Sequence, residues 1–152
     1  MKSEPDEVSI DDLARLGQVP WFGVRNYQAR NFMRDAMRIG DLAFFYHSGC
    51  AEPGIAGLCR VASEPYPDAT QFAPESPYFD AGATRDQPRW LLRDVAFVCK
   101  TLLLPLKALR QHPELSGMRL LARGNRLSIT PVSVLEWSFI AGHLLGIEQF
   151  RR

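Results

Sequence analysis

The sequence has 152 residues, 46% of them apolar, and carries 18 basic against 17 acidic side chains. That length and apolar share fit one globular domain, residues 1–152, with a real core. The near balance of charge excludes a whole-molecule field for nucleic acid, so binding of that kind must come from local patches.

Ser9-Ile10-Asp11-Asp12-Leu13 reads as a helix start, with Ser9 as N-cap and Asp12 at the capping-box position. Gly17 supplies the stop. Ala29, Phe32, Met33, Ala36 and Met37 then fall on one apolar stripe of a helix. Arg30, Arg34 and Arg38 run beside that stripe, and Gly40-Asp41 ends it. Leu42 to His47 reads as a strand by length and aromatic content. Ile55 to Ala62 reads as a second strand, with Gly57 marking a bulge or a close backbone approach.

Glu64 to Gln87, rich in Pro, Asp, Ala and Ser, reads as a long irregular connection with one helical turn near Asp68–Phe72. Trp90 to Leu104 reads as one long strand and Leu106 to Gln111 as a short helix. Leu127 to Ile129 reads as a short strand after an Arg-Gly-Asn-Arg turn. Ser133 caps a final helix, with Glu136 at N3 and with Val132 and Trp137 placed for a hydrophobic staple. Strands dispersed among short helices point to an α+β domain around a small curled sheet.

Enzyme signatures are missing. The sequence has no G-x-S-x-G elbow, phosphate loop, Rossmann glycine fingerprint or H-E-x-x-H. His47 and Cys50 could supply two ligands, but a structural zinc needs four and the sequence offers no second pair. The three cysteines, Cys50, Cys59 and Cys99, form no C-x-x-C pair and fit a reducing cytosol. No apolar run approaches the ~18 residues of a membrane span. The acidic opening is not a secretory signal. The expectation is an intracellular protein without cofactor or metal.

The positive signal is a mix of groups suited to a flat polar ligand. Met1-Lys2-Ser3-Glu4-Pro5 and Trp21-Phe22-Gly23-Val24-Arg25-Asn26 bring together a cation, hydroxyl, carboxylate, indole and amide. Trp21 in a loop is more often a core plug than a stacking platform, and Trp90 carries the same ambiguity. Tyr46 and Ser48 stand near a strand end beside a glycine loop. Asn26 just before a helix is an N-cap or, alternatively, an amide that reads a base edge. Arg25, Arg30, Arg34 and Arg38 outnumber Asp35, and Arg119, Arg123 and Arg126 have no nearby acid. These arginines form either a solvated face or phosphate contacts around an aromatic pocket.

Those segments, with Gly40-Asp41-Leu42, Phe45-Tyr46-His47-Ser48, Pro53-Gly54-Ile55-Ala56-Gly57, Ser76-Pro77-Tyr78-Phe79-Asp80, Pro88-Arg89-Trp90 and Pro131-Val132-Ser133, resemble in joint order the EVE domain family of the PUA-like superfamily. The resemblance implies a PUA-like pseudo-barrel of about five or six strands, with short helices around it. It implies non-catalytic binding of a modified nucleobase, modified cytosine in DNA above all. Carried over, Trp21 becomes a stacking wall, Asn26 an edge reader, and Ser48 and Tyr46 the opposite side. Trp90 becomes a second wall, with Lys2 and Ser3 at the rim. Arg25, Arg30, Arg123 and Arg126 turn toward phosphates. Two other readings stay open: a general PUA-type RNA-binding domain, and an enzyme using His47 or Glu4 as acid or base. Family members carry residues ahead of the Lys-Ser-Glu-Pro segment, so the first strand here is expected to be short, or the reading frame to start upstream.

Overall fold

Alternation along Leu42–His47 sets the centre of the molecule. In the computed structural model, which describes residues 1–150, this segment is a strand whose side chains divide between two cores. Phe45 packs with Ile10, Leu13, Trp21 and Met33, whereas Phe44 and Tyr46 pack with Leu58, Leu109 and Trp137. Successive strand residues point to opposite faces, so one strand serves both cores.

The strands are β1 (Lys2–Ser3), β2 (Gln18–Pro20), β3 (Leu42–His47), β4 (Gly54–Val61), β5 (Tyr66–Pro67), β6 (Leu91–Leu92) and β7 (Asp94–Pro105). Five of them form one curled sheet in the order β1-β3-β4-β7-β2, and β5 pairs with β6 in a separate ribbon. Only β1 runs parallel to its neighbour, with Lys2 opposite Tyr46 and Ser3 opposite His47. β1 is two residues long and pairs with β3. Gly57 fulfils both halves of its expectation. The β4–β7 register shifts there, and an added Cβ would lie 2.5 Å from the Cys99 carbonyl.

Helix α1 (Ile10–Leu16) starts on a complete capping box between Ser9 and Asp12 and ends at Gly17, whose φ of 82° suits glycine. Helix α2 (Tyr27–Asp35) presses Ala29 and Met33 into the first core. Helix α3 (Leu106–Leu109) follows β7. Helix α4 (Val134–Ser138) starts on the Ser133–Glu136 capping box and runs on into a π-helical turn at Phe139–Leu144.

Two expected strands come out differently. Trp90–Leu104 is interrupted at Arg93, which leaves the ladder to cap α2. Its guanidinium donates to the carbonyls of Met33 at 2.8 Å and Met37 at 2.8 Å while being only 2% exposed. Leu127–Ile129 is not a strand. Ser128 accepts one bond from the Lys2 N–H, and Pro131 then has no N–H with which to continue a ladder.

His47 ties β3 to α1 through an unusual cap. Its Nε2 accepts the Ile10 N–H at 3.1 Å, so the ring must be neutral at that nitrogen. Burial lowers its pKa; the Asp11 charge opposes that shift and Lys100 adds to it. A depressed histidine pKa favours the fold above the ordinary value near 6.5, and that contribution is lost as pH falls through the folded value. Urea midpoints measured from pH 7.5 to 5 should fall in the wild type and fall less in His47→Gln. Parallel pH profiles would remove His47 as the cause.

Candidate functional site

Where β1 meets the loop after β2, the chain leaves a cavity of about 220 Å³. Lys2, Ser3, Glu4, Glu7 and Val8 line one side, and Trp21, Phe22, Gly23 and Val24 line another. Ser48, Tyr78, Arg126 and Ser128 complete it. A second cavity of about 230 Å³ lies across β1 and is walled by Phe32, Met37, Phe44, Met118 and Trp137. It is similar in volume, and its lining is mainly apolar although Lys2, Asp41, Tyr46, Ser128, Thr130 and Ser133 also reach it. The first converges carboxylates, hydroxyls, an indole and cations, which is the pattern of a specific polar ligand.

Trp21 is chiefly a core residue. It is 7% exposed and meets Phe45 edge-on at 5.6 Å. Its backbone N–H is held by the Arg93 carbonyl. Its indole N–H has no protein acceptor. Among the described residues, the only sealed side-chain polar atom without a partner is Thr101 Oγ1, so the indole N–H is not sealed, and Trp21 is one of the residues that line the cavity.

The ring opposite is Tyr78, delivered by the long irregular connection. Gly23, at φ 85°, lets it approach, since a Cβ there would lie 2.8 Å from the Tyr78 ring. Phe22 packs edge-on against it at 5.7 Å. Its hydroxyl donates to Glu7 Oε1 at 2.5 Å. Burial pushes the phenol pKa up to about 12, and Glu7 and then Glu4 add to that shift.

Asp68 holds both walls together. It is fully buried and accepts from the Gly23 N–H at 2.8 Å, from Arg25 at 3.0 Å, and from the Thr70 N–H and hydroxyl. Arg25 also donates to the Tyr78 carbonyl at 2.9 Å. This clasp therefore fixes the Gly23 turn and the Tyr78 backbone in one network.

The structure brings together Lys2, Ser3, Trp21, Ser48 and Arg126, and it separates the other expected site residues. Tyr46 points to the opposite face of β3, into the second core, because its neighbour Phe45 faces Trp21. Asn26 is the N-cap of α2, its Oδ1 accepting the Ala29 N–H at 3.1 Å. Trp90 packs beneath Tyr27 with ring centroids 4.8 Å apart, and its N–H goes to Asp80. Arg25 is spent on the clasp. Arg30 donates to Asn31 and the Arg89 carbonyl and lies over Tyr27. Arg123 and Arg126 are exposed at the Gly124 turn, and no carboxylate among the described residues pairs with them. Lys2 reaches the Asn125 carbonyl of that turn at 3.3 Å, and burial lowers its pKa. Glu7, Gly23 and Tyr78 escape sequence reasoning as site residues. The Gly23–Tyr78 contact spans over fifty positions and leaves no local periodic signal.

A curled five-stranded sheet with short helices packed on both faces and a polar pocket at its β1 edge is the PUA-like α+β arrangement. The family model of the EVE domain matches residues 1–143, and the chain belongs to that family. Human thymocyte nuclear protein 1 is 44% identical over 160 residues, covering 92% of this chain and 70% of that protein. A crystal structure of a Pseudomonas putida protein is 52% identical, covers 93% of this chain and 95% of its own, and superposes with a TM-score of 0.90. A crystal structure of human THYN1 in complex with DNA containing 5-methylcytosine is 43% identical, covers 92% of each chain and has a TM-score of 0.85.

Proposed function

We propose that this protein binds DNA carrying a modified cytosine, without catalysis, by drawing the base into the cavity between Trp21 and Tyr78. The observation that carries the reading is the cavity itself. An aromatic ring, an indole, carboxylates and hydroxyls converge on a space with an unpaired arginine at its mouth. The similarity to human THYN1 held with methylcytosine DNA supports the ligand class. A base must leave the stack to enter such a pocket, and the phosphates on either side then pass Arg123 and Arg126. The lining does not favour His47 as a general base, because its acceptor nitrogen is occupied by the Ile10 N–H.

The test is fluorescence polarisation at fixed salt. The probes are matched DNA and RNA oligonucleotides bearing cytosine, its methyl, hydroxymethyl or carboxyl derivatives, or N6-methyladenine. Preference for a modified cytosine in DNA is the expected result. Equal binding to every probe, weakening together as salt rises, would leave only backbone attraction and end the reading. Preference for RNA would favour the general PUA-type alternative. Tyr78→Ala should weaken the preferred probe by about 5- to 150-fold, the worth of one base–aromatic stack. Trp21→Ala is a poor test, since emptying that core site costs about 3–5 kcal/mol of stability.

A further inference from the structure

We propose that Glu4 is the group that identifies the base as a cytosine, by accepting a hydrogen bond from its exocyclic amine. This rests on the reading that the cavity holds a base.

Glu4 lines the cavity, and its backbone is fixed, because its carbonyl accepts from both the Glu7 and Val8 N–H groups. Its carboxyl lies against Gly49, where an added Cβ would stand 2.9 Å from Oε1. Gly49 follows the lining residue Ser48 and has a φ of 62°, so this close approach is built into the loop. The other carboxylate on the lining, Glu7, is engaged with the Tyr78 hydroxyl. No described donor reaches the Glu4 carboxylate, whereas two of its neighbours on the lining are engaged. Ser3 Oγ donates to the Val8 carbonyl at 2.6 Å, and Lys2 donates to Asn125.

A carboxylate only accepts. At the position where cytosine carries an amine donor, thymine carries a carbonyl acceptor. The carboxylate therefore attracts the first and repels the second. The 5-methyl group does not enter this choice, because thymine and 5-methylcytosine both carry it. A glutamine in the same place would lose the discrimination, since a rotated amide offers either a carbonyl to cytosine or an N–H to thymine. The division of labour is clear. Tyr78 and the pocket walls grip a flat ring, and Glu4 reads its amine edge.

The experiment measures three matched DNA probes, with cytosine, 5-methylcytosine or thymine at one position, against wild type, Glu4→Gln and Glu7→Gln. Glu4 is exposed, so its isosteric variant should fold, and a urea midpoint confirms that it does. Wild type should prefer 5-methylcytosine over thymine. Glu4→Gln should lose about tenfold or more of that ratio while keeping the ratio of 5-methylcytosine to cytosine. Glu7→Gln should weaken all probes together by loosening Tyr78. A Glu4→Gln protein that keeps the wild-type ratio against thymine overturns the proposal and leaves the functional reading standing. A wild type that binds the three probes equally overturns both.

Discussion

Asp68→Ala should lower the free energy of unfolding by about 3–5 kcal/mol, the usual cost of removing one partner from a buried ion pair. Asp68 is wholly buried, while Arg25 retains 21% of its side-chain exposure, so water screens the stranded cation in part and the lower end of that range applies. Burial alone would raise the Asp68 carboxyl, but the Gly23 and Thr70 donors and Arg25 outweigh it and hold the pKa below the ordinary range. Its contribution is therefore complete at neutral pH and is lost as pH falls through the folded value. With slopes of about 1–3 kcal/mol per molar, the urea midpoint should drop by roughly 1–3 M. The cavity wall should loosen as well, since the Gly23 turn and the Tyr78 backbone lose their common anchor. Asp68→Asn keeps the shape and an acceptor and should fall between the two. An Asp68→Ala protein with a wild-type midpoint would mean that Arg25 and Gly23 find equivalent partners elsewhere.

Arg93→Met is the second large effect. The substitution keeps an apolar stem and deletes the guanidinium, which stands at the C-terminal end of α2 where helix carbonyls collect negative charge. Of its two interior acceptors, the Met33 carbonyl would lose its only side-chain donor, whereas the Met37 carbonyl keeps a bond from Arg38 at 2.9 Å. With one carbonyl stranded, the loss should be about 1–3 kcal/mol. Glu64 contributes little to this balance. Its carboxylate is 3.9 Å away and 79% exposed. Arg93 also presents its own carbonyl to the Trp21 N–H, so amide exchange at Trp21 should speed up in the variant. Unchanged stability would show that the α2 carbonyls reach water once the cation is gone.

The parts of the fold that the sequence reveals are those written in short-range chemistry. The Ser9 and Ser133 capping boxes and the strands around Phe45 and Leu58 all appear within a residue or two of expectation, because caps and alternation are local. The break at Arg93 is not local, for its reason is the end of a helix some sixty residues earlier. The pocket divides in the same way. Lys2, Ser3, Trp21, Ser48 and Arg126 do meet. Tyr46 is misplaced, although the period of two beside Phe45 carried the warning. Tyr78 and Asp68 lie in a proline-rich connection whose path is decided by Gly23 and Arg25, and no spacing rule links those positions.

The scattered origin of the cavity wall has a consequence for synthesis. The cavity takes residues from Lys2 to Ser128, so no shorter stretch of the nascent chain can enclose it. At 5–20 residues per second, the ribosome needs about 6–26 s to reach Ser128. Until then Trp21 and Tyr78 are emerging without the Arg126–Ser128 segment that completes the cavity. The cavity is therefore complete only when almost the whole domain has been made.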